Sequence, residues 1–117
     1  MTLGILGSMV WDRIDHPGSG TMEGWGGISY SLAAAAVALP PGWIIRPLVK
    51  LGVDLADSGR AFLDGIPGIV LEPGVATTSH PQNRVHLRYK DEHHRDECLT
   101  GGVPPWSWQE LEPRIQG

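Results

Sequence analysis

LGILGSMVWD, Leu3 to Asp12, is a nearly continuous apolar run closed by a carboxylate. A run of this length suits a central strand covered on both faces, so Leu3 to Trp11 is read as the first strand. The stretch that follows, RIDHPGSGTMEGWGG from Arg13 to Gly27, is rich in glycine with scattered apolar residues, which suits an exposed flap of short strands. Ser29 precedes an alanine-dominated run, Tyr30 to Leu39, and is expected to cap a tightly packed helix there. Pro40, Pro41 and Gly42 end that helix. WIIRPLVKL, Trp43 to Leu51, reads as a second buried strand in which Pro47 marks a bend. Apolar residues at helical spacing predict a helix over Asp57 to Ile66, and a third strand is expected at Gly68 to Leu71. Strand, helix, strand, helix, strand in this order implies a Rossmann-like α/β fold, with a parallel sheet in a three-layer arrangement.

The last third changes character. RVHLRY, Arg84 to Tyr89, alternates polar and apolar residues like a half-exposed strand outside the central sheet. A charged turn, KDEHHRDE, and a short strand at Cys98 to Thr100 complete a hairpin. Val103 to Gly117 contains three prolines and two tryptophans and no recognisable packed element.

The 117 residues are enough for one domain or a piece of one, and nine Lys plus Arg against thirteen Asp plus Glu provide no basic field for nucleic acid. Cys98 is the single cysteine; it excludes an intramolecular disulfide and fits a reducing compartment, so a cytoplasmic location is expected. The apolar N-terminus has no basic residue ahead of it and is cut short by Asp12 and Arg13, unlike a signal peptide. The longest uncharged stretch, Gly24 to Ile45, is broken by glycines and by Pro40 and Pro41, as for a buried helix between loops rather than a membrane span.

Asp12 stands where a parallel strand is expected to end. Open α/β sheets bind ligands outside the carboxyl ends of their strands, where a carboxylate can accept hydrogen bonds from two neighbouring hydroxyls. Gly26 and Gly27 permit close backbone approach, and a helix N-terminus follows them. Asp54 is read as a helix-start aspartate favoured by the helix dipole. His80, His86, His93 and His94 lie among acidic residues, but adjacent histidines on an extended segment point to opposite sides. A solvated turn is therefore preferred to a metal site, and no metal ligand is assigned. Trp106 and Trp108 could stack on a sugar, but covering core is the preferred reading.

Four segments in register, GSMVWD (Gly7 to Asp12), GGISYSLAAAAVAL (Gly26 to Leu39), VKLGVDLADSG (Val49 to Gly59) and TTSHPQNRVHLRYKDEHHRDE (Thr77 to Glu97), resemble the N-terminal part of ribokinase-like (PfkB family) carbohydrate kinases. The resemblance implies a ribokinase-like sheet, incomplete over residues 1–117, with a small β lid made from about 13–25 and 84–100. It implies that Asp12, Gly26 and Gly27 hold the sugar, that Ser31 occupies a position where the family usually has asparagine, and that Asn83, with Val85 and Arg95, belongs to the lid over the sugar. It also implies ATP-dependent phosphorylation of a sugar or nucleoside hydroxyl with ATP and Mg in the parent family, and a possible homodimer through the lid. The family's catalytic base lies in a GAGD-type segment. Nothing here matches that segment or a Walker loop, so no catalytic residue is assigned and the ATP site is not evident in this chain. The chain alone is expected to be inactive. A non-catalytic sugar-binding or dimerisation module is the alternative; a dinucleotide-binding domain is disfavoured because no GxGxxG follows the first strand.

Overall fold

The computed structural model describes residues 1–116. Seven strands and three helices occur in the order β1 (Thr2–Leu6), β2 (Met9–His16), β3 (Gly20–Gly27), α1 (Ile28–Ala38), β4 (Ile44–Leu51), α2 (Ala56–Asp64), β5 (Val75–Thr77), β6 (Arg84–Tyr89), β7 (Arg95–Thr100) and α3 (Trp108–Gln116). They form two sheets, a parallel one in the order β1-β4-β5 and a four-stranded one in the order β3-β2-β6-β7. The expected α/β architecture with a β flap is therefore present.

The first sheet is layered. Ile45, Val49 and Leu51 of β4 share one apolar cluster with Leu32 of α1 and Leu63 of α2. On the opposite face, Arg46 and Lys50 reach α3, through the Arg114 carbonyl and the Glu110 carboxylate. Side chains of a strand alternate between faces, so one β4 residue in two supports each helical layer.

Three expectations are corrected. Leu3 to Trp11 is two strands, not one. Gly7 and Ser8 separate β1 from β2, and β2 turns away to pair with β3 and β6 in the second sheet. A Cβ on Gly7 would press on Ile28 at 3.0 Å, so a side chain at the bend would push Ile28 aside. Second, the strand expected at Gly68 to Leu71 is reduced to a bridge between Ile45 and Ile69, and pairing resumes only at Val75–Thr77. Pro47 supplies the reason. Ile45 and Val49 donate to the carbonyls of Gly68 and Gly74 on this side of β4, and Pro47 between them has no N–H to give. The neighbouring chain leaves the sheet at the gap. Third, the tail is not structureless. Ser107 and Glu110 exchange side-chain to backbone hydrogen bonds at 3.1 and 3.2 Å, a capping box that starts α3.

Ser29 does not cap α1. Gly27 is the N-cap, with φ of 66°, and the buried Ser29 hydroxyl donates to the Trp25 carbonyl at 3.0 Å. Gly27 also packs so closely on the Ser8 carbonyl that a side chain there would collide with it.

Candidate functional site

Asp12 lies in the middle of β2, opposite Gly24 of β3 and Val85 of β6, not at the end of a central strand. Its carboxylate rests directly on Gly26, in space that a Cβ at that position would occupy. Strand alternation and register put Val10, Asp12 and Ile14 on one face with Met22, Gly24, Val85, Leu87 and Leu99. Burial pushes the Asp12 pKa above 3.8, and among the described residues no hydrogen bond or ion pair opposes it.

The other strongly placed carboxylates behave in the opposite way. The Thr21 hydroxyl and His86 hold Asp15 down to about 2. The Gln82 amide and Arg84 lower Asp54, which is a clamp between α2's approach and β6 rather than a helix-start residue. Amides of His93 and His94 lower Asp91 in the β6–β7 turn. Asp12 alone among these is raised and unpartnered.

Gly26 and Gly27 lie at the end of β3, paired with Val10 and Met9, and Gly26 touches the Asp12 side chain. The first amide of α1, from Ile28, is already committed to the Ser8 carbonyl at 3.0 Å, so α1 offers one donor fewer than expected. Ser31 is exposed one turn later and hydrogen-bonds to none of the others. Asn83 lies elsewhere. Its carbonyl accepts from the Trp11 amide, while its side chain binds both backbone groups of Val103 and ties the tail down. Asn83 also borders a cavity of about 420 Å³ with Ser8, Met9, Lys50 and Trp106, beyond the carboxyl ends of β1 and β4.

Two residues that sequence reasoning passed over organise this region. Gln82 is fully buried; its side chain accepts from the Gly52 amide at 2.8 Å and donates to the Met9 carbonyl at 2.7 Å, joining the sheets. Nothing local marks a glutamine for that role, although the glycine it abuts, Gly52, was visible. Lys50 is 7% exposed and is held by the Glu110 carboxylate and the Pro105 carbonyl. Trp106 lies between Lys50 and Arg114, at 5.0 and 5.1 Å from its ring centre, and donates to the Leu48 carbonyl. Trp108 is exposed. Among the described residues no cluster of three or more metal-ligating side chains occurs, and no helix is long and apolar enough to cross a membrane.

A group of solved kinases matches this arrangement over most of the chain. The Burkholderia thailandensis nucleoside kinase in complex with inosine matches 86% of this chain at a TM-score of 0.61 and 17% identity. The Halothermothrix orenii fructokinase matches 87% at a TM-score of 0.65 and 17% identity, and the Cryptococcus neoformans ribokinase in complex with ADP 93% at 0.61 and 16%. The chain therefore carries part of the ribokinase-like fold. It spans 37%, 38% and 38% of the lengths of those three proteins. No protein-family model and no curated protein sequence matches it.

Proposed function

We propose that this chain is the acceptor-binding side of a ribokinase-type kinase that phosphorylates a hydroxyl of a sugar or nucleoside. The unpaired, burial-raised carboxylate of Asp12, set against Gly26 beside Val10 and Val85, carries this reading. Such a group gains most from a ligand that brings hydroxyl donors, because those bonds replace the water that burial removed. Gly26 lets the Asp12 carboxylate lie against the backbone, and Gly27 starts α1 beside it. The second sheet is then the lid, with Asn83 securing its root rather than reaching the ligand. ATP and Mg would be held by residues outside these 117, since no donor-phosphate loop or GAGD-type base occurs here. Phosphoryl transfer depends on holding donor and acceptor in line, and this chain is assigned only the acceptor half.

Calorimetric titration with pentoses, hexoses and nucleosides tests the reading. Binding of one of them that weakens in Asp12→Ala supports it; no binding, or equal binding by both proteins, rejects it. A second reading, homodimerisation through the lid, is favoured by Met22 and Leu99, each 70% exposed on the Asp12 face. Sedimentation of wild type beside Leu99→Glu separates it from the first.

A further inference from the structure

The parallel sheet ends at β1. In the order β1-β4-β5 this strand pairs with β4 along one side, and among the described residues no strand lies on the other. The Met1 carbonyl accepts from the Ile44 amide and the Gly7 amide donates to the Leu48 carbonyl. The alternation of a parallel ladder therefore turns the backbone groups of Leu3 and Ile5 toward β4 and those of Thr2, Gly4 and Leu6 outward. These last three residues are exposed. Sheet edges are usually blunted by charge, proline or a bulge, and TLGIL has none of these.

The helical layer beside this edge is equally bare. α1 packs on β1 and β4 and buries Ile28, Ser29 and Leu32. Its outer side is uncharged too: Tyr30 is 68% and Val37 89% exposed, and Ala33 and Ala34 are exposed between them. A helix without a charged face is ordinarily covered all round. Met1 to Trp11 and Gly24 to Ile45, which supply β1 and α1, contain no Asp, Glu, Lys, Arg or His.

We propose that this edge is a self-association surface, at which β1 pairs antiparallel with β1 of a second copy about a two-fold axis through Gly4. The strand's own pattern selects that occupant. Its outward groups are symmetric about Gly4, so Gly4 meets Gly4 of the copy and Thr2 meets Leu6, each pair exchanging both of its N–H···O bonds. The axis stands perpendicular to the sheet, which keeps the two α1 helices on one face and brings them side by side, where alanines permit close approach. The two parallel sheets then merge into one. A chain of net charge −4 repels its own copy over most of its surface, and on this strip, apart from the terminal amine, there is no charge to do so. The strip is short, ~17 Å along β1 and ~16 Å along α1, which places the dimer among weak, micromolar associations. Acceptor binding is not needed for it, since Asp12, Gly26 and Gly27 take no part.

Sedimentation velocity of the 117-residue chain, from roughly 1 to 300 μM to span weak association, shows monomer converting to dimer. Amide exchange read by NMR at the two extremes gives the register. The Gly4 and Leu6 amides slow at least about tenfold in the dimer, whereas those of Leu3 and Ile5, bonded to β4 in both states, do not change. Gly4→Pro removes an outward N–H while sparing the β4 ladder, and weakens dimerisation by about tenfold or more. Val37→Glu, at a position exposed in the monomer, sets a charge on the helical side of the strip and also weakens it. Leu99→Glu, on the second sheet, leaves the dimer intact. A chain that stays monomeric throughout overturns the proposal, as does a dimer in which the Gly4 amide exchanges as in the monomer. A dimer that persists in Val37→Glu or is lost in Leu99→Glu overturns it as well.

Discussion

The two sheets bury themselves in different ways. In the first, β4 is buried from Pro47 to Leu51 and receives helices on both faces. In the second, β7 is exposed along its whole length, and side-chain contacts of Asp15 with His86 and Thr21 link the strands. Apolar burial holds the first sheet and is insensitive to pH; ionisable pairs contribute to the second and depend on it. β2 lies outside the parallel sheet, and Asp12 keeps partial exposure there while β4 remains packed.

The joint between the sheets is where this contrast breaks most easily. Gln82→Ala leaves the Gly52 amide and the Met9 carbonyl buried without partners, and should cost roughly 2–4 kcal/mol of stability. Urea denaturation measures it, and a loss below about 1 kcal/mol would mean the sheets hold together without this residue. Next in size, Asp12→Ala should weaken sugar or nucleoside binding by roughly 1–3 kcal/mol, with little effect on folding, because the carboxylate has no partner among the described residues. Gly26→Ala should impair binding more than Ser31→Ala, since its methyl group is driven into the Asp12 carboxylate whereas Ser31 is exposed. The reverse order in titrations would remove the diglycine from the site.

The smallest effect concerns acid. Asp15 has a folded-state pKa lowered from 3.8 to about 2, so its pairing stabilises the second sheet fully above about pH 4 and fades as pH falls toward 2. Hydrogen exchange of β2 and β6 amides should accelerate over that window, and Asp15→Asn should flatten the dependence. Glu110, also lowered to about 2 by Lys50 and the Ser107 amide, should loosen α3 over a similar range. The two are told apart by which amides respond.

Sequence patterning located most of the elements because burial writes itself into apolar runs: β4, α2 and β6 fall within two residues of expectation. It failed where a single residue redirects the chain. Gly7 and Ser8 divide one apolar run between two sheets, and periodicity has no term for that bend. Pro47 was read as a bend in its own strand, whereas its consequence falls on the neighbour that cannot pair with it. The capping box at Ser107 and Glu110 was legible as Ser-x-x-Glu but was hidden among prolines. At the candidate site, Asp12 and Gly26 were each singled out from the sequence, but the contact between them was not. The commitment of Asn83 to Val103 was not, because a side chain that hydrogen-bonds a residue twenty positions away leaves no local mark.

The two-residue link at Gly7 and Ser8 also fixes a lever. At about 3.3 Å per residue, Asp12 lies ~13 Å along β2 from Ser8 and His16 lies ~26 Å away. Any tilt of the second sheet about that link therefore moves the β2–β3 tip about twice as far as the carboxylate. Asp12 sits on the short arm, close to Gly26 and the start of α1, and would move least in any such tilt.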